Sequence, residues 1–284
     1  MIDDKSSSYL ISQTFCLRPA KPSSKTKNNT MLASAISRIQ FRNPPSIQKV
    51  VNHLKNTVGI NFLALDFDCT ILDIHTGGNW KGTLEELLPH IRPVYAQLIK
   101  AALTNNMEVA VVTFSRQVKF VRGVLDHIFS SSDMDSETLE AIGVLGVGNV
   151  VDTTNRIPIR GGDRSWRYDG AGSDEGKQPH MASAVEELET RRDEDYLRAK
   201  AAASASMSGG VRTPPPNGAA SEAEPGTTHA SDEPPPPEPI TRKTTLLLDD
   251  DAKNIRHAFN NQTRAVWFNP EKPHKLLPQL LKLK

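Results

Sequence analysis

The run Phe62-Leu63-Ala64-Leu65 is apolar at every position and breaks off at Asp66-Phe67-Asp68-Cys69-Thr70. A strand that is apolar without alternation is buried on both faces, the condition of a strand inside a parallel sheet. Such a sheet needs helices over both faces. The two carboxylates fall one residue apart where the strand ends and share the crevice there. That spacing suits a nucleophile and a proton-transfer partner around one metal ion, which puts phosphoryl chemistry first.

The rest of the chain repeats the strand-then-helix alternation. Apolar positions Ile47, Val50, Val51 and Leu54 predict a helix over 46–57, closed by Gly59, ahead of a first strand over 61–66. Helical pattern resumes near Leu84 and continues beyond Pro93. The run over 108–113 predicts a second buried strand, 116–129 an amphipathic helix, and Ser136 the cap of a short helix. Residues 143–151 are expected to form a third strand, and 156–176 a polar, Gly-rich segment. A helix is expected from Pro179 to about Lys200. A strand over 244–249, a helix over 252–260, a strand over 264–268 and a terminal helix through Leu276, Leu277, Leu280 and Leu281 complete the pattern. The expectation is one α/β domain over 45–284, a doubly wound, Rossmann-like parallel sheet.

Two segments do not fit a packed core. Residues 1–44 are rich in Ser, Lys, Asn and Pro, and 201–241 in Ala, Ser, Pro and Glu, so both are expected to be disordered. The apolar fraction of the chain, 37%, is low enough to accommodate them. The prolines at 214–216 and 234–237 offer a ligand for a protein partner, with a plain spacer as the alternative. The stretch 31–42 bears Arg, lacks acids and resembles an organellar presequence starting at an internal Met; a solvated arm is the plainer reading.

Charge and cysteine content narrow the partners. Lys and Arg number 34 against 33 Asp and Glu, so no basic excess points to nucleic acid or a membrane surface. No apolar stretch approaches the roughly 20 residues of a spanning helix. Cys16 and Cys69 provide neither a disulfide framework nor zinc-ligand spacing, in keeping with a reducing, cytoplasmic setting.

In open α/β sheets ligands sit beyond the carboxyl ends of the strands. Three predicted strands end in chemistry-bearing residues, namely Asp66 with Asp68, Thr113, and Asp249 with Asp250, and Lys177 stands just before a helix. Thr113 alone is ordinary for a strand. Arg160-Gly161-Gly162-Asp163 reads either as a substrate-side loop or as a Gly-rich turn with a packed Trp166.

Together these residues resemble the haloacid dehalogenase superfamily, on Leu65-Asp66-Phe67-Asp68-Cys69-Thr70, Val111-Val112-Thr113, Lys177 and Leu248-Asp249-Asp250, with Asn254 following. The order acid pair, Thr, Lys, acid pair separates it from receiver domains, which place Thr and Lys last. The resemblance covers about 45–200 and 242–270. It implies Mg²⁺ bound by Asp66, Asp68 through its backbone carbonyl, and Asp249 or Asp250. It makes Asp66 the nucleophile that becomes an aspartyl-phosphate, Asp68 the acid and base, and Thr113 and Lys177 the phosphate holders. Lys243 is the rival for the lysine. The implied activity is a Mg²⁺-dependent phosphatase acting on a phosphomonoester. A phosphotransferase and a non-enzymatic interaction protein on the same scaffold are the alternatives. The stretches after Thr70 and over 151–176 are too short for a large cap domain. By the resemblance, the open site that follows suits a macromolecular phosphate or a partner serving as lid.

Overall fold

The computed structural model describes residues 44–163, 165–170, 172–208 and 235–284. The arm expected over 1–44 (save its last residue), the presequence-like stretch and the centre of the 201–241 insertion lie outside them. Five strands form one all-parallel sheet: β1 (Phe62–Leu65), β2 (Glu108–Val112), β3 (Ile159–Arg160), β4 (Thr245–Asp249) and β5 (Arg264–Trp267). Their spatial order is β3-β2-β1-β4-β5. The chain steps outward from β1 to β3, then crosses back to lay β4 on the other side of β1. The switch point is therefore the boundary between β1 and β4, where a doubly wound sheet opens its ligand crevice.

Helices cover the sheet. They are α1 (Pro44–His53), α2 (Leu84–Leu87), α3 (Pro93–Thr104), α4 (Val118–Ser130), α5 (Ser136–Ala141), α6 (Gln178–Ser208), α7 (Ala252–Asn260) and α8 (Leu276–Leu280). One face of the sheet presents Phe62, Ala64, Ala110, Val112, Leu247 and Ala265 to Met181, Ala184 and Leu188 of α6 and Ile255 and Ala258 of α7. The small alanines let α6 and α7 approach the strands closely. The alternate residues Leu63, Leu65, Val109, Val111, Leu246 and Leu248 are fully buried at the other face, as strand alternation requires. Helix α1 ends in a π turn, Leu54–Val58, that Gly59 closes at φ 76, a left-handed value that suits glycine.

The third strand is not where hydrophobicity placed it. Residues 143–151 fold back on themselves through a single antiparallel bridge between Leu145 and Val151. Gly143, Gly148 and Asn149 all take positive φ there, and Val147 and Val150 point into solvent. The strand that joins the sheet comes from the segment expected to be loop. Pro158 lends its carbonyl to Val111 N–H at 2.9 Å, a position tolerated because β3 is an edge strand.

Smaller differences have local causes. Asp135, not Ser136, caps α5, accepting from Thr138 N–H at 2.7 Å. The helix expected to continue from Leu84 past Pro93 is broken at Ile91, which bridges to Leu72. Helix α6 runs to Ser208, beyond the expected end near Lys200, because Ala201, Ala202 and Ala203 are strong helix formers. After the insertion the chain rejoins the core at Ile240, whose N–H donates to Glu189 at 2.9 Å. Among the described residues, no helix is long and apolar enough to cross a membrane.

Candidate active site

The crevice is built at the ends of β1 and β4. Asp66 follows β1, and its N–H donates to Leu248 O at 3.0 Å, which locks the end of β1 against the end of β4. Asp249 is the last residue of β4 and is fully buried. Asp66, Asp249 and Asp250 each bring a carboxylate oxygen into a group whose members all lie within 4.8 Å of one another.

Lys177 enters the same group from the residue before α6. Its buried ammonium donates to Asp66 Oδ1 and, at 2.9 Å, to Asp249 Oδ2. A close fit behind it sets the direction of approach. Gly176, at φ 57, sits so near α7 that an added Cβ would lie 3.2 Å from Asn254 Oδ1 and 3.2 Å from His257. His257 Nδ1 in turn pairs with Glu175 at 2.8 Å. Lys243, the rival lysine, is exposed ahead of β4, at the opposite end of the strand from Asp249. The structure thus brings Lys177, not Lys243, to the acids.

The turn after β4 is held by its own side chains. Asn254 donates to both carboxylate oxygens of Asp249, at 3.3 and 3.1 Å, and Asp251 N–H donates to Oδ1 at 2.8 Å. Asp251 is also the N-cap of α7, accepting from Lys253 N–H at 2.8 Å. Thr70 Oγ1 lies 3.5 Å from Asp250 Oδ1, so the turn after β1 reaches the acid pair as well.

The charge balance is strained. Three carboxyl groups share one ammonium in a largely buried space, which makes full ionisation of all three costly. Burial, and then the charges of Asp66 and Asp249, push the Asp250 carboxyl up to about 8. Burial also lifts Asp249; Lys177 opposes that rise, Asp66 reinforces it, and the result is about 6. Burial disfavours the charged form of Lys177, but Asp66 and Asp249 overcome it and hold the ammonium above its ordinary range.

Thr113 lies one residue past β2, buried, with its N–H on Arg160 O at 2.9 Å. Its hydroxyl oxygen accepts from Ser115 N–H at 3.1 Å, which leaves the hydroxyl proton to donate elsewhere. Asp68 is absent from the carboxylate trio. It sits in the tight turn Phe67–Ile71, where Cys69 takes φ 56, and its carboxylate accepts from Thr76 N–H at 3.1 Å and Thr76 Oγ1 at 3.0 Å. His75 Nδ1 lies 3.8 Å from the same carboxylate.

Arg160-Gly161-Gly162-Asp163, read either as a substrate-side loop or as a Gly-rich turn with a packed Trp166, engages its charged side chains locally. Arg160 is buried on β3 and spends its guanidinium on Ser183 Oγ at 2.9 Å and Glu187 at 2.7 Å, tying the sheet edge to α6. Asp163 accepts from Ser165 N–H and Oγ within its own turn. Neither side chain joins the acids.

Two residues at the site carry no signal of their own in the sequence. Thr76, ahead of Gly77 and Gly78, looks like turn composition, and only the folded loop shows it gripping Asp68. Phe114, the residue after Thr113, is 54% exposed beside Lys177. No protein-family model, curated protein or solved structure matches the chain, so the geometry carries the functional argument.

Proposed function

We propose that this chain is a Mg²⁺-dependent phosphatase that hydrolyses phosphomonoesters through an aspartyl-phosphate on Asp66. The observation that carries the reading is the trio Asp66, Asp249 and Asp250, three carboxyl groups gathered around one ammonium, at the switch point of the sheet. An all-oxygen carboxylate set is what a hard divalent cation takes, so the residues fit Mg²⁺. When bound, the ion supplies charge neutralisation between an anionic nucleophile and an anionic substrate.

The chain's own residues account for the rest. A carboxylate oxygen of Asp66 attacks phosphorus, and the bond from phosphorus to the leaving oxygen breaks with its electron pair on that oxygen. Asp68 gives that oxygen a proton. It then takes a proton from the water that attacks the phosphoryl group and frees Asp66. The Thr113 hydroxyl proton and the Lys177 ammonium donate to phosphoryl oxygens, holding the group in line. No large cap covers the crevice in this reading, which admits a phosphate on a macromolecule.

The test is turnover of an aryl phosphate with and without Mg²⁺, beside Asp66→Asn. Hydrolysis that needs the ion and is lost in the folded variant is the expected result. Near-wild-type hydrolysis by Asp66→Asn overturns the assignment.

A further inference from the structure

Outside the carboxylate trio, the most unusual surface at the crevice is aromatic. Phe114 directly follows Thr113, and its ring lies 5.4 Å by centroid from the Lys177 ammonium. The residue is 54% exposed, at a place where most neighbours are buried.

It is also rigidly held. Its ring meets His180 edge-on at 5.2 Å, and His180 is backed by Trp166 at 4.5 Å. Trp166 Nε1 is fixed on Gly161 O at 2.7 Å. The backbone of Gly162 lies against the backbone of Phe114, where a Cβ would come within 2.3 Å of Phe114 O, and Gly162 N–H donates to Ser115 O at 2.8 Å. Burial, Lys177 and Arg160 keep His180 neutral down to about pH 4, so the edge against Phe114 stays uncharged. A side chain that must lose little freedom on binding makes a good stacking surface.

We infer that Phe114 makes this site selective for aryl phosphates, the phosphate esters of phenols, by stacking on the ring of the leaving group. The inference rests on the phosphatase reading and deepens it. A phenolic ester places its ring one oxygen away from phosphorus, within reach of an aromatic side chain that already borders the phosphate-side lysine. Offset or edge-on ring pairing favours such a group over a saturated ring of equal size. In the reaction, the bond from phosphorus to the phenolic oxygen breaks as the Asp66–phosphorus bond forms. The phenolate takes the electron pair and a proton from Asp68, and leaves as phenol.

The experiment compares calorimetric binding of phenylphosphonate and cyclohexylphosphonate, both non-hydrolysable, with kcat/KM for phenyl phosphate, cyclohexyl phosphate and a phosphotyrosine peptide, all with Mg²⁺. Wild type, Phe114→Leu and Phe114→Trp are measured, each verified as folded by thermal melting. The phenyl-to-cyclohexyl binding ratio is expected to fall about fivefold in Phe114→Leu and to return in Phe114→Trp. The peptide arm distinguishes a phosphotyrosine source from a free aryl phosphate. A ratio that Phe114→Leu leaves unchanged overturns the inference, whatever the turnover. Binding that follows the ring without any hydrolysis supports the stacking surface and sinks the phosphatase reading alone.

Discussion

Lys177 Nζ stands 2.9 Å from Asp249 Oδ2 while donating also to Asp66 Oδ1, so one buried ammonium is shared by the carboxylates that end two adjacent strands. The pairing sets the electrostatics of the crevice. It offsets part of the cost of burying carboxylates side by side, and it leaves Asp250 with the remainder.

Removing the ammonium strands two buried anions. Breaking a buried ion pair from one side costs about 3 kcal/mol or more. Lys177→Met is expected to lose stability on that scale in urea unfolding at neutral pH without added metal, and to recover part of it with Mg²⁺. Lys243→Met, changed at an exposed site, is expected to unfold like wild type. Equal midpoints for the two variants would remove Lys177 from the site.

The raised carboxyls give the ion-free protein a pH dependence of definite sign. Asp249 at about 6 and Asp250 at about 8 lie above the ordinary 3.8. Between about pH 4 and pH 8 the folded protein therefore holds more protons than the unfolded chain. Their stabilising contribution is complete below the ordinary value and is lost as pH rises through about 6 and then about 8. Melting of the protein in chelator is expected to move to lower temperature from pH 5 to pH 9, and Mg²⁺ is expected to flatten that slope. Because bound metal needs the carboxylates ionised, titration with Mg²⁺ at pH 7 should release protons, seen in calorimetry as a heat that varies with the buffer. A heat independent of buffer would count against the trio as ligands.

Thr76 is a positioning residue for Asp68, holding both carboxylate oxygens from one short loop. That loop is fixed in turn by Gln117, which donates to Asn79 Oδ1 at 3.2 Å and to Trp80 O at 3.0 Å. Thr76→Val is expected to lower kcat about tenfold with little change in KM, and to alter the limb of the pH–rate profile that reports the acid. Thr76→Ser is expected to restore both. Unaltered kinetics in Thr76→Val would assign the hydroxyl hydrogen bond to Asp68 a structural role only.

The alternation of apolar runs with helical periodicity was enough to announce a parallel α/β sheet, because strands buried on both faces have no polar side to show. The strand ends at Asp66, Thr113 and Asp249 were equally legible, since the change from apolar to acidic or hydroxyl residues is local. The third strand was not. Residues 143–151 are as apolar as a strand, yet positive-φ turns at Gly148 and Asn149 fold them outward, and Ile159 takes the edge by pairing with β2. Register between distant segments is a property of the assembled sheet. The lysines were partly legible: the helix opening after Lys177 favours it over Lys243, and the direction in which α6 and β4 run then carries Lys177 to the carboxylates and Lys243 away. Asp68, Thr76 and Phe114 follow that rule, for a residue's type fixes the chemistry it can offer, whereas the fold decides which neighbour receives it.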